Sequence, residues 1–356
     1  MPYHEYIFKA AVSLNFMLEA FYEKDSKGRK YAIDTEFLMD NLPAFDRDFE
    51  MISSSKALRR LAGKTQVFKI PNNPHVRTRR IHTDEVRQVS KIISHNLGLN
   101  NSLCQAIALG HDLGHTPYGH LGERTLKEMS GKNFRHNVFG VVVAQEIEKR
   151  GLGLNLSYET LEGILLHSRG SEKINTSGKA AEYDAVMYAD KIGYTFADIN
   201  DAIRYGYLNE KDLPAGIREL GGTQTERIDS CIRGLVGESL ADGKVSFSKC
   251  REAQIFGDIK DHMYKHVYNK IDDDIHKKFL ENTYKTLERE YPGVDPAIGL
   301  ALMTDWEVDS IGRITLGPRK PNINDFDGFG INEVLPYIDG KKIDYTNPGL
   351  DWGKNR

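Results

Sequence analysis

The 356-residue chain is predicted to be mainly α-helical: a helical core, one small β-hairpin, and helical appendages at the N- and C-terminal ends. Three observations lead there. Apolar residues recur at the spacing of one helix face along most of the chain. A strand-like pattern bounded by turn residues stands out only at residues 66–78. No internal repeat or low-complexity segment interrupts the pattern.

The elements follow in order. Residues 1–25 are mildly apolar but carry Lys9, Glu19 and Glu23, which reads as an amphipathic helix and not a signal peptide or membrane span. Residues 66–70, a Pro71-to-Pro74 turn and residues 75–78 read as the hairpin. Residues 83–97 place Val86, Val89, Ile92, Ile93 and Leu97 on one stripe, and Gly98 ends the run. Residues 101–112 turn Leu103, Ile107 and Leu109 inward. Gly114, Pro117 and Gly119 make 111–119 a tight turn, with a new helix starting near His120. Helices are expected over 136–149, stopped by Gly151, over 158–167 and over 181–204. Beyond 207 the pattern weakens. Residues 223–290 look helical and charged, and the Gly/Pro/Asn/Asp-rich tail from 305 reads as a loop-rich flap or a subunit contact. The expected domains are an N-terminal helical extension (1–43), a core (44–206) and a C-terminal helical, loop-rich region packed on it (207–356).

The formal charge of −3 argues against a general nucleic-acid-binding face; positive charge is local, at Arg77, Arg79 and Arg80. Cys104, Cys231 and Cys250 are far apart, which reads as a reduced intracellular protein without a disulfide framework. No window is apolar for long enough to span a bilayer, so a cytoplasmic location is expected.

Three short stretches carry chemistry: RRIH (79–82), GHDLGH (110–115) and YADK (188–191). They supply His82, His111, Asp112 and Asp190, two imidazoles and two carboxylates able to meet at one divalent ion. A carboxylate at a helix C-terminus opposes the helix dipole, so Asp112 makes sense beside a cation. His111, His115 and His120 cluster around glycines, which packing alone does not explain. Glu123 follows His120 by three residues, and Asp190, Tyr194 and Asp198 stand at i, i+4 and i+8; each set shares a helix face.

These residues sit in longer runs. SKALRRLAGKTQVF (55–68), VRTRRIH (76–82), AIALGHDLGHTPYGHLGE (106–123), FRHN (134–137), LNLSYETLEG (154–163) and MTD (303–305) together resemble the HD-domain deoxynucleoside triphosphate triphosphohydrolases, the dGTPase-like enzymes. The match covers roughly residues 44–204 well and the rest thinly. The stretch before residue 44 departs from the usual opening of that family. The resemblance implies an HD-domain core that splits a dNTP, dGTP or several, into deoxynucleoside and triphosphate by water attack at the α-phosphorus. It implies His82, His111, Asp112 and Asp190 as metal ligands, with manganese or magnesium first and iron, cobalt, nickel or zinc as further candidates. His120 matches the proton donor, oriented by Glu123. Arg79, His115, His136 and Lys191 match phosphate contacts, while Arg77 and Arg80 read equally as a solvated basic strand. Tyr194 would pack where a 2′-hydroxyl would project, and Asp198 with Gln66 would bind the 3′-hydroxyl. An even-numbered homo-oligomer, tetramer or hexamer, and a nucleotide activator are also implied.

Two other readings stay open on the sequence. One is a different HD-domain nucleotide phosphohydrolase, a 5′-nucleotidase or phosphodiesterase, which would not need His120, Glu123, Tyr194, Asp198 or Gln66. The other is a non-catalytic nucleotide sensor or nucleic-acid-binding module, against which the modest charge and the lack of an aromatic–basic stripe speak.

Overall fold

A computed structural model describes residues 18–21, 24, 26–33, 37–68, 75–169, 176–268 and 274–353; residues 1–17 of the expected N-terminal helix lie outside them. The chain forms two compact units. One comprises Met1–Asp25, Asp84–Ala108 and Leu166–Ile271, the other Ser26–Thr83, Leu109–Leu165 and Asp272–Arg356.

In the first unit the helix Ala181–Arg204 is buried on nearly every side. It packs against Gln224–Asp242 and Arg251–His266, where the rings of Phe196, Phe247 and Phe256 lie 5.7–6.1 Å apart. A helix buried on so many sides belongs in a core, and its buried polar groups, among them Glu182, Asp184, Lys191 and Asp198, must find partners there. Glu182 does so: its buried carboxylate accepts from the N–H groups of Phe21 (2.9 Å) and Asn100 (2.8 Å). Thr223 and Glu226 form a capping box that starts Gln224–Asp242, and Gly243 at φ +66° ends it. No helix is long and apolar enough to cross a membrane, among the described residues.

The helix expected at 83–97 runs over Arg79–Leu97, so its first turn belongs to the second unit. The start was misread because Arg79 and Arg80 carry no apolar period. His82, expected just ahead of the helix, is therefore its fourth residue. Val86, Val89, Ile93 and Leu97 are buried, but Ile92 is 40% exposed, so the apolar stripe is narrower than expected. Gly98 closes the helix at φ +71°.

The second unit holds a large apolar cluster that joins Met51, Leu58 and Leu61 to Phe139, Leu161, Leu280, Leu302 and Val308. Its helices include Ala44–Ser53, Asn101–Gly110 at its final residues, His120–Ser130, His136–Val142, Tyr158–Leu166, Asp274–Glu290, Pro296–Leu302 and Asp305–Ile314. The run expected over 136–149 is helical only to Val142; a π-helical segment, Val143–Ile147, follows, and Lys149 and Arg150 adopt left-handed φ of 48° and 60°. The tail is not a peripheral flap. Phe326, Ile331, Leu335 and Tyr345 are at most 2% exposed and complete this core through short 3-10 turns.

The expected hairpin is not supported. Among the described residues there is no strand; Thr65 and Thr78 meet in a single antiparallel bridge, and 69–74, the expected tip, lie outside them.

Candidate metal centre

The turn after Asn101–Gly110 is set by close backbone approach. A Cβ on Gly114 would lie 2.1 Å from the Gly140 nitrogen and 2.3 Å from the His136 carbonyl oxygen, so only glycine lets this turn rest on His136–Val142. Gly119 takes φ +58°, a conformation that favours glycine. Tyr118 is also left-handed, at φ 54°, which is strained for a ringed residue. Its N–H donates to Asp305 Oδ1 (3.0 Å), and its hydroxyl to the Asp305 carbonyl (3.0 Å) and Asp309 Oδ1 (2.6 Å). Asp305 also accepts from the Thr65 N–H at 2.9 Å. Below the turn, the buried Lys64 ammonium donates to the carbonyls of His115 and Ala301.

This scaffold brings His82, His111 and Asp112 together, all at most 3% exposed, with one donor atom from each within 4.8 Å of the others. The two rings meet edge-on with centroids 5.3 Å apart. An ion that holds its ligands at about 2.0–2.2 Å joins donors up to about 4.4 Å apart, so only small side-chain shifts separate this set from an inner sphere. Burial alone would keep the Asp112 carboxyl protonated. The neighbouring His111 and Arg79 outweigh it and hold the group well below the usual carboxylate range, in the form that binds metal. Arg79 Nη1 donates to Asp112 Oδ2 at 2.8 Å and Nη2 to the Gln66 carbonyl at 3.2 Å. The donor set, two imidazoles and one ionised carboxylate, fits a first-row divalent ion.

A second group adjoins it in the same unit. His120 Nδ1 and His136 Nδ1 each lie 2.9 Å from a different oxygen of Glu123, which also accepts the His136 backbone N–H at 2.6 Å. His136 stacks on His115 with centroids 4.5 Å apart. Burial opposes charge on both Glu123 and His136. Their mutual contact prevails, lowering the Glu123 pKa far below its ordinary value and raising that of His136. His115 goes the other way: burial, then Arg79 and His136, push its pKa well below the ordinary value, so it is neutral. The His120 side chain is 69% exposed, so it faces solvent while Glu123 grips it from below. Among the described residues Gln66 Oε1, Arg79 Nε and His115 Nδ1 are buried without a hydrogen-bond partner, a cluster of polar atoms that suits a polar ligand.

The remaining candidates belong to the other unit. Asp190, Lys191, Tyr194 and Asp198 all lie on Ala181–Arg204. Asp198 is buried and accepts from the Tyr268 hydroxyl at 2.7 Å, so it is not a surface charge. Tyr194 is held largely out of water; burial, then Tyr264, Asp190 and Asp198, raise its pKa well above the phenol value. Lys191 is buried too, and burial lowers its pKa against the pull of Asp190.

Sequence reasoning missed several supports. The grip of Glu123 on His136 joins residues thirteen apart across a turn. Lys64 stood directly before the Thr65–Gln66 pair with no spacing to mark it. Tyr264 and Tyr268 sit at i and i+4, but nothing local ties them to Tyr194 and Asp198.

Residues 79–203 match the HD domain family model. The chain is 45% identical over 206 residues to a deoxyguanosinetriphosphate triphosphohydrolase-like protein of Caldanaerobacter subterraneus subsp. tengcongensis, across 58% of this chain and 59% of that relative. Proteins of the same description from Clostridium tetani and Clostridium perfringens strain 13 are 40% and 41% identical over 251 and 247 residues, covering 69% and 68% of this chain and 71% and 70% of theirs. On that identity and coverage the chain belongs to the deoxyguanosinetriphosphate triphosphohydrolase-like family of HD-domain proteins.

Proposed function

We propose that this protein hydrolyses deoxynucleoside triphosphates, dGTP or several of them, to deoxynucleoside and inorganic triphosphate with a divalent metal. One observation supports this most: a His–His–Asp donor set lies in the same unit as a solvent-facing imidazole gripped by a buried carboxylate. The first can hold an ion and the second can deliver a proton. A bound divalent ion supplies Lewis acidity at a phosphate oxygen and a water of lowered pKa. His82, His111 and Asp112 would hold it, with Asp190 as a fourth ligand on the resemblance alone. Manganese or magnesium is the expected ion.

The rest falls to the chain's own residues. Water attacks the α-phosphorus and the bond to the 5′-oxygen breaks. His120, held at Nδ1 by Glu123, gives its Nε2 proton to that departing oxygen. Arg79 presents a guanidinium beside Asp112 and neutralises charge on the α-phosphate. His136, kept protonated by Glu123, with His115 and Lys191, binds the remaining phosphate oxygens. On the resemblance alone, Tyr194 would crowd the 2′ position of the sugar and Asp198 and Gln66 would bind the 3′-hydroxyl; a ribose hydroxyl buried without a partner is disfavoured. The resemblance also supports an even-numbered homo-oligomer and a nucleotide activator, and the three dispersed cysteines support a cytoplasmic location.

The test is to incubate purified protein with each dNTP and manganese or magnesium, and to separate the products. Free deoxynucleoside and tripolyphosphate are expected. Release of orthophosphate or pyrophosphate instead would discard cleavage at the α-phosphorus.

A further inference from the structure

We propose that His115, His120 and His136 form a second cation site, selective for a borderline-soft ion such as zinc, and that filling it switches the enzyme off. The proposal rests on the reading of His120 as proton donor for its regulatory part, but the site itself stands on geometry. One nitrogen from each of the three rings lies within 4.8 Å of the others. The ring centroids are 4.5 Å apart for His115 and His136, 5.4 Å for His115 and His120, and 6.0 Å for His120 and His136. His115 Nδ1 is buried and, among the described residues, has no hydrogen-bond partner. Glu123 holds two of the rings, the carboxylate–imidazole support that metal-binding histidines ordinarily have. The exposed His120 ring gives an ion its way in.

Donor chemistry, not distance, separates this site from its neighbour: an Asp112 oxygen also lies within 4.8 Å of a nitrogen of His136. Three imidazoles favour zinc, copper or nickel over magnesium, whereas His82, His111 and Asp112 include a hard oxygen donor. Arg79 opposes a cation at both sets, since it donates to Asp112 at 2.8 Å and acts electrostatically on His115; only the first set has a ligating carboxylate to offset that charge, so a cation binds more weakly at the three rings. An ion that ligates His120 and His136 takes a nitrogen lone pair from each ring and releases the protons that the reaction places there. It also occupies the place of the triphosphate's contacts with His115 and His136, so substrate and zinc exclude one another.

Zinc binding to the full chain is measured without nucleotide, by competition with a chromophoric chelator. Asp112→Ala, which disables the neighbouring set, is expected to retain about one zinc per chain. Adding His120→Asn, a change at an exposed ring, should weaken that binding about tenfold or more. If Asp112→Ala does not fold, the wild-type protein carries the test: about two ions, falling to about one in His120→Asn. An Asp112→Ala protein that folds but binds no zinc, or zinc binding indifferent to His120→Asn, overturns the site. Because no substrate is present, a chain that bound zinc through these rings yet cleaved no dNTP would sink the proposed activity and leave the site standing.

Discussion

Residues 111–136 and the helix Ala181–Arg204 hold their candidate side chains by opposite means. In the first region the groups around the proton donor lie within one stretch of chain, although distant residues, Asp305 on Tyr118 and Lys64 on His115, brace the turn. His120 meets Glu123, Glu123 meets His136, and the Thr116 hydroxyl donates to the Gly119 carbonyl at 2.7 Å. In the second the helix period lines up Asp190, Tyr194 and Asp198, but their surroundings come from far along the chain, Tyr268 being seventy residues from Asp198. The difference teaches where each function is written. His111, Asp112 and the proton-donating His120 sit in one short motif whose glycines, Gly114 and Gly119, fix its shape, and His82 comes from the helix Arg79–Leu97. The groups expected to read the sugar depend on how a distant helix end packs.

The largest effect should come from breaking the first region at its charge. Asp112→Ala should lose bound manganese, read by metal analysis of zinc-free protein, and turnover by about three orders of magnitude or more; full manganese content in this variant would remove Asp112 from the ligand set. His120→Asn sharpens the contrast. It should keep the ion and lower kcat by about 10²–10⁴-fold, as removal of a general acid does. Retention of most of kcat assigns the proton to another group.

The second region should respond in selectivity and not in chemistry. Tyr194→Ala is expected to raise ribonucleotide turnover relative to deoxyribonucleotide about tenfold, with metal content unchanged. An unaltered ratio means the ring packs without gating the sugar. Tyr268→Phe, which takes a donor from the buried Asp198 carboxylate, should destabilise by about 1–3 kcal/mol in urea melts.

The subtlest test returns to the first region. Burial, helped by Arg60, pushes the Lys64 pKa from 10.5 down to about 7. Between those values the unfolded chain binds a proton that the folded chain releases, so stability rises with pH across the window and is flat in this respect below it. Lys64→Met should abolish that rise, seen by comparing denaturant midpoints near pH 7 and near pH 10. An identical pH profile in the variant means another group carries it. The variant also leaves the His115 and Ala301 carbonyls without their donor, so a lower midpoint at every pH is expected.

The sequence by itself determined the helices whose apolar period is strong and whose ends carry glycine or a cap. Ala181–Arg204 and the start at His120 fall where the pattern put them. It also determined the HD-domain family, because GHDLGHTPYGHLGE packs ligands, turn glycines and a three-residue His–Glu pair into one uninterrupted run. Such features are local: a helix period, a left-handed glycine and an i,i+3 contact need only neighbouring residues. Tertiary structure decided the rest. It made Arg79 start a helix and pair with Asp112, sank the tail from 326 to 345 into a core, placed Lys64 under His115, and left a lone bridge where a hairpin was expected. Those outcomes follow from which buried polar group finds a partner and which apolar face finds cover, and both are settled only when distant segments meet.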